Sequence, residues 1–500
     1  MKKLIILSLI TIMTAAFLVG FIDVVNQDAP KSKDIFTYSV SEVPTNLIMI
    51  GSLNERVQDI VCATSRGLVE LDSNGNINPS LSDSVDVKGE GLEYVFKIKG
   101  DIYWSDGSKI TPKDIRAFFR EIITEEKEEN IEAILNVYGA KAFREGVGSF
   151  SENVGISITE DSITFRLNSR DDNFIKELTK PQYRLRKNVL LWDNLDETYD
   201  NLIYSGSYNI KEFTSSDITL VRNQKSNTKF LEQIKIVIGE EEEIAMAAFE
   251  IGGRDIVINP PKSQLSRLNS ENRLAVIESN RGIYLGFNPN DQSLTIDDKK
   301  SIYGLINESM EEYQLENSMF IELAEGSYRR ADKEDILKMQ ARKVISNQYN
   351  EESKIKEVVL VAEEGSGNKE ICEYVSNWFT ENTEIYLDYK LISKEEINDL
   401  YTSNYYTVAL IEGDLNNLED VEAYNRFYGL LEQSQQEKLD KSLTKENKEK
   451  AFSAIEEDIF NTYRLLPLGF YNDTIAIKKE IKNIVFDGHG NIDFSQISLK

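Results

Sequence analysis

Histidine is almost missing from this chain, with one in 500 residues, His489, and cysteine occurs only twice. A metal centre built on several imidazoles is thereby excluded, and a catalytic triad would have to use His489, which lies in the turn-like "DGHGN" and is not expected to serve one. Two cysteines cannot make a disulfide framework. Cys62, in "DIVCATSRGLVEL", and Cys372, on an apolar helix, are expected as buried free thiols. Positive charge is scarce as well. With 57 Lys and Arg against 85 Asp and Glu, a net charge of −28 and a pI near 4.6, the chain lacks the clustered cations that phosphate backbones require, so no nucleic-acid partner is expected. Such an acidic surplus suits a soluble, self-repelling protein outside a cell.

Long apolar runs are absent too, except at the start. Met1-Lys2-Lys3 precedes an apolar stretch from Leu4 to Ile22, the order of a positive n-region and an h-region. At roughly 19 residues the stretch is long for a signal peptide and just adequate for one membrane crossing. Lys2 and Lys3 before it, and Asp23 and Asp28 after it, place the N-terminus inside and the bulk of the chain outside. Residues 1–32 are expected to be a signal peptide or an uncleaved membrane anchor. In "FLVGF" the triplet Leu18-Val19-Gly20 resembles a lipobox, but Phe21 stands where the lipidated cysteine belongs, so no lipid is expected there.

What is present begins with legible local structure. In "YWSDGSKITPKDI", residues 103–115, Asp106-Gly107 is a tight-turn pair. Thr111 reads as a helix N-cap, Pro112 as the first helical residue and Asp114 as the returning half of a capping box. "GLEYVFKIK" alternates as a half-buried strand, and "ISITEDSITFRL" and "SGSYNIKEFTSSDITLVRN" read as hairpins. Between them "FFREIITEEKEENIEAIL" reads as a charged helix with its glutamates on a solvated face. "RLRK", Arg184 to Lys187, reads as a surface island. The second half changes character: "EVVLVA", "NKEICEYVSNWF", "EIYLDYKLI", "SKEEINDLY" and "YYTVALIEGD" alternate strand, helix, strand, helix, strand, the pattern of parallel βαβ units. The end of the chain returns to short strands that cannot bury their faces alone, and is expected to rejoin an earlier sheet.

The ordered run from Thr64 to Phe119 resembles the extracellular peptide-binding proteins of bacterial ABC importers, the oligopeptide and dipeptide (family 5) class of solute-binding proteins. The resemblance is carried by Gly67-Leu68, Pro79-Ser80-Leu81, Tyr94-Val95-Phe96, Trp104-Ser105-Asp106-Gly107 and Thr111-Pro112-Lys113-Asp114, with fainter echoes in "SGSYNIKEF" and "YLGFNPN". It implies an α/β, two-lobe periplasmic-binding-protein-like fold of type II with an extra β-rich subdomain and a ligand cleft between lobes. The implied division is 36–280 for lobe 1, with a β-rich insert at about 65–190, then 281–465 for an α/β lobe 2, and 466–500 returning to lobe 1. Trp104 is expected to pack in the structural lobe. The implied function is reversible binding of short peptides and their delivery to a membrane permease by a monomer without catalysis or cofactor.

In open α/β sheets ligands lie beyond the carboxyl ends of the strands, and the third strand of the second domain ends in "IEGDLNNLED". The resemblance implies an aspartate here that receives the ligand's N-terminal ammonium. The tryptophan usual before that aspartate is missing, so Asp414, Asn416 and Asp420 compete for the role, with Asp414 preferred and Gly413 beside it. "DSNGN", Asp72 to Asn76, opens like a calcium loop but has Asp83 where the twelfth-position glutamate belongs, and a hairpin turn is expected. "EEEE", Glu240 to Glu243, reads as a helix start. The alternatives to a transporter subunit are a membrane-tethered receptor or regulator of the same fold, a binder of another solute such as a nickel chelate or sugar, and a carboxylate-based hydrolase.

Overall fold

The computed structural model describes residues 35–225, 231–330, 355–364, 366–393, 396, 400, 405–413, 415, 427–442 and 448–499. Two compact units divide the chain, one running to Ile256 and resuming at Lys478, the other spanning Val257–Ile477. The N-terminal leader, with Phe21, lies outside the described residues. Among the described residues no helix is long and apolar enough to cross a membrane.

Up to residue 238 the strands of the first unit are β1 (Ile35–Val40), β2 (Val69–Leu71), β3 (Ile77–Pro79), β4 (Ser82–Lys88), β5 (Glu93–Ile98), β6 (Ile156–Ile158), β7 (Ser162–Arg166), β8 (Tyr208–Phe213), β9 (Asp217–Arg222) and β10 (Gln233–Ile238). One sheet has the order β1-β10-β9-β8, with β1 parallel to β10; another, β4-β5-β7-β6, is antiparallel. The second sheet is the β-rich part. Alternation in β5 sends Tyr94, Phe96 and Ile98 inward, where Phe96 meets Phe165 edge-on at 5.7 Å. Helix α1 (Glu55–Thr64) and helix α2 (Pro112–Glu125) belong to this unit. Ile115, Phe119 and Ile122 of α2 close the β-rich core, and Trp104 is buried with them.

The opening of α2 shows why its sequence was readable. Gly107 sits at φ +86°, and its N–H donates to the Trp104 carbonyl at 2.9 Å. The Thr111 N–H and hydroxyl then donate to the Asp114 carboxylate at 2.8 and 2.6 Å, closing the capping box. Two expectations about charge fail nearby. The glutamate-rich segment is not one solvated helix: α2 stops at Glu125, and Glu126 is fully buried, accepting from Ile50 N–H and from the Asn130 amide. Nor is "RLRK" a surface island. Arg186 is 1% exposed and donates to the carbonyls of Leu47 and Ile48, and Arg184 is buried against Glu70 and Asp487. Both expectations took charge as a sign of exposure, whereas carbonyls and carboxylates of distant segments partner these groups inside, even though Arg184 Nε and Arg186 Nε and Nη2 have no hydrogen-bond partner among the described residues.

The second unit carries β11 (Ile256–Ile258), β12 (Leu274–Phe287), β13 (Ile321–Leu323), β14 (Glu357–Glu363), β15 (Tyr386–Ile392), β16 (Val408–Gly413) and β17 (Leu465–Ile477). They form one 7-stranded sheet in the order β11-β17-β12-β16-β14-β15, with β13 beside β17. β14 pairs in parallel with both β15 and β16, and β12 is antiparallel to β16 and β17. Helix α3 (Ile296–Asn317), capped by Thr295 and Asp298, buries the expected stripe of Ile302, Ile306, Met310 and Tyr313. Helix α4 (Ser366–Asn382) connects β14 to β15 and buries Ile371, Cys372, Val375 and Phe379. Because β12 and β17 run as one long antiparallel pair, residues 257–280 and 466–477 lie with this unit. The chain then returns to the first unit, where Ile492 N–H donates to Asp59 at 2.7 Å and the Phe494 ring meets Phe36, Tyr38 and Tyr208.

Candidate functional site

The chain leaves β14 on one side to form β15 and returns on the other as β16, so the sheet has a switch point at β14. The parallel strands end there at Glu363, Ile392 and Gly413. Such a carboxyl edge is where an open α/β sheet takes a ligand.

Its framework is built from close approaches. Gly413 pairs with Gly282 across the β12–β16 ladder. A Cβ on Gly413 would fall 2.5 Å from the Phe427 ring, and one on Gly282 would collide with the Tyr284 hydroxyl. Those two rings meet edge-on at 5.2 Å, so both glycines are required by packing. Two residues past Gly413, the chain is pinned at Leu415, which is buried and whose carbonyl accepts from Arg329 Nε at 2.9 Å. Arg329 in turn holds Glu456 with both terminal nitrogens, at 3.2 and 2.6 Å. Asp414, Asn416 and Asp420 lie outside the described residues, and the described Leu415 falls between the first two in sequence.

Beside β16 the edge is polar and aromatic. The Tyr471 hydroxyl donates to Asn368 Oδ1 at 2.8 Å, and the Asn368 amide donates to the Glu363 carbonyl at 3.1 Å, tying β17 to the start of α4 and the end of β14. Burial, reinforced by the Glu412 charge, pushes the Tyr471 phenol well above its ordinary range, so it remains a donor. Arg281 stands over the Tyr471 ring at 4.9 Å with Glu412 and Asp473 near it. Lys262 pairs with Glu370 and lies over the rings of Phe320 and Tyr313, at 4.1 and 4.6 Å. Burial lowers its ammonium pKa, with Glu370 opposing.

Of the sequence candidates, the structure therefore describes Gly413. It adds Arg281, Glu412, Tyr471 and Asp473, which sequence reading did not single out. The available signal was Gly282 directly after Arg281 inside an alternating strand, a common mark of a bulge or close approach. His489 belongs to the first unit, where burial holds it down to about 4 and its Nε2 meets the Thr179 hydroxyl at 2.7 Å. Among the described residues no group of three or more His, Cys, Asp or Glu is arranged to hold a metal.

The profile of bacterial extracellular solute-binding proteins, family 5, matches residues 76–301. Over those residues the chain is homologous to that family. Solved structures resemble it over nearly its whole length. The murein tripeptide binding protein MppA of Escherichia coli aligns at a TM-score of 0.67 and 14% identity, covering 94% of this chain and 99% of that one. A periplasmic oligopeptide-binding protein of Borrelia burgdorferi aligns at 0.67 and 17%, covering 93% and 100%. The fold is thus the two-lobe periplasmic-binding-protein fold, mixed α/β with an extra β-rich subdomain. Among sequences, the dipeptide-binding protein of Lactococcus lactis is 29% identical over 160 residues, 31% of this chain and 28% of that protein. The oligopeptide-binding protein OppA of Bacillus subtilis is 21% identical over 270 residues, 51% of this chain and 49% of that protein. The aligned parts are less than two thirds of either relative's length.

Proposed function

We propose that this protein is the extracellular substrate-binding component of an ABC transporter, taking short peptides reversibly between its lobes and delivering them to a membrane permease. The observation that carries this reading is the carboxyl edge of β16, where Glu412 and Gly413 end the strand at the switch point of the sheet, with the acidic sequence Asp414 to Asp420 following in the chain. The family 5 match and relatives described as dipeptide- and oligopeptide-binding proteins supply the ligand class. In this reading Asp414 receives the peptide ammonium, Asn416 and Asp420 line the same loop, and Gly413 keeps the approach open. The protein works as a monomer without cofactor. Residues 1–32 export it or anchor it, without a lipid, on the outer face of the membrane.

An ammonium taken out of water needs a carboxylate partner, and removing one member of such a pair costs about 3–5 kcal/mol. Asp414→Ala is therefore expected to weaken peptide binding by a few orders of magnitude without loss of fold. N-acetylation of the peptide should act in the same direction, and the two changes together should be less than additive. Calorimetry of all four combinations tests this. Equal affinity of Asp414→Ala and wild type for a free-amine peptide overturns the assignment and passes the role to Asp420; indifference to acetylation as well overturns peptide recognition by this loop.

A further inference from the structure

Two arginines reach the same edge, and they are held in opposite ways. Arg330 is a fixed strut: its side chain is 11% exposed, pairs with Glu322, and donates to the carbonyls of Tyr471 and Ser279 and to Asn472 Oδ1 at 2.9–3.2 Å. Arg281 is displayed. The β12–β17 ladder breaks between Glu278 and Gly282, so residues 279–281 bulge from it, and the Arg281 N–H is held only locally by Ser279 Oγ at 3.2 Å. Its side chain is 49% exposed, and the guanidinium lies over the Tyr471 ring with Glu412 at 3.8 Å and Asp473 at 3.5 Å. These separations exceed the roughly 2.7–2.9 Å of charge-assisted hydrogen bonds. Ion pairs this exposed contribute little and are easily exchanged. Two carboxylates around an aromatic face, however, match any guanidinium or ammonium group.

We propose that Glu412, Asp473 and the Tyr471 ring form a subsite for a lysine or arginine side chain of the bound peptide, and that Arg281 is the chain's own stand-in for that side chain. The proposal rests on the peptide-binding reading above and deepens it, assigning a side-chain preference to the same edge. Arg281 occupies the subsite while the protein is empty and swings into solvent when a cationic ligand residue enters. Charge is then exchanged like for like, so the two carboxylates never lose a partner. The stand-in also lowers apparent affinity by the fraction of time it occupies the subsite. Neutral side chains gain nothing from displacing it.

The test uses the full mature protein and alanine tetrapeptides carrying one lysine, norleucine or glutamate at the second or third position, with L-argininamide alone as a probe of the subsite. Arg281→Ala is expected to bind the lysine peptides about fivefold more tightly, the order set by loss of one exposed, competing ion pair, and to leave the norleucine peptides unchanged. Glu412→Gln with Asp473→Asn should abolish the lysine preference, and Arg281→Lys should restore wild-type behaviour; unchanged melting temperatures certify the fold. Unaltered lysine-peptide affinity in Arg281→Ala overturns the proposal. So does a loss confined to the glutamate peptides, which makes Arg281 an anion reader. If no peptide binds wild type, chemical-shift titration with argininamide separates the two readings: tighter binding to Arg281→Ala keeps the cation subsite while peptide recognition fails, and indifference overturns the subsite as well.

Discussion

Two loops of the first unit have the same skeleton and opposite electrostatics. In Asp72–Asn76 and in Asp487–Asn491 the aspartate carboxylate accepts from the N–H groups two and four residues on. Its own N–H donates to the carbonyl four residues on, and a glycine at the fourth position donates back to it. Gly75 and Gly490 both have positive φ, +77° and +82°, which glycine adopts freely. Yet the Asp72 carboxyl is held down to about 2 by these hydrogen bonds in solvent, whereas burial raises that of Asp487 despite the same donors and the neighbouring Arg184. Local hydrogen bonding sets the loop; its surroundings set the charge.

The largest expected effect comes from removing the cation that makes the half-buried loop tolerable. Arg184 stands 3.6 Å from Asp487 and 3.4 Å from Glu70, and Arg184→Ala is expected to destabilise the protein by about 3–5 kcal/mol in denaturant unfolding. A loss below about 1 kcal/mol, the level of an exposed pair, would show that Asp487 does not depend on it. Next, Asp487→Ala strands part-buried backbone donors and should cost about 1–3 kcal/mol. Asp72→Ala leaves its donors to water and should stay within about 0.5 kcal/mol. Equal costs would erase the distinction between the loops.

The smallest expected effect is the net pH slope of the wild type near the half-buried loop, where two groups oppose each other. Burial raises Asp59 to about 7, so its contribution to stability is complete below the ordinary carboxylate range and is lost as pH climbs through about 7. His489 is depressed to about 4, so its contribution is present above its ordinary 6.5 and is lost as pH falls towards 4. Between these limits the two slopes oppose each other, each at most about 1.4 kcal/mol per pH unit. Wild-type stability should therefore be nearly level from pH 4.5 to 6.5. Asp59→Asn should tilt it upward with pH and His489→Gln downward; parallel curves for both variants would remove either group from the account.

The same contrast explains what the sequence made legible. The capping box at Thr111 and Asp114, the turn at Gly107 and the stripe on α3 depend on neighbours within a few residues, and each was readable. The carboxyl end of β16 was readable because strand and helix alternated before it. Glu126, Arg184 and Arg186 were misjudged because their partners lie in segments about 75 to 300 positions away. Arg281 and Tyr471 were missed for the same reason: the β12–β17 ladder that brings them together closes over most of the second unit.

The double crossing of the chain at Ile256 and Ile477 also orders events in time. Ile492 and Phe494, which complete the first unit around Asp59, Phe36 and Tyr208, follow the whole second unit in the chain. A chain threading outward from its N-terminus therefore exposes the first unit with its keystone still missing, and the second can finish first. The segment encoded earliest is therefore sealed only once the last residues of the chain are made.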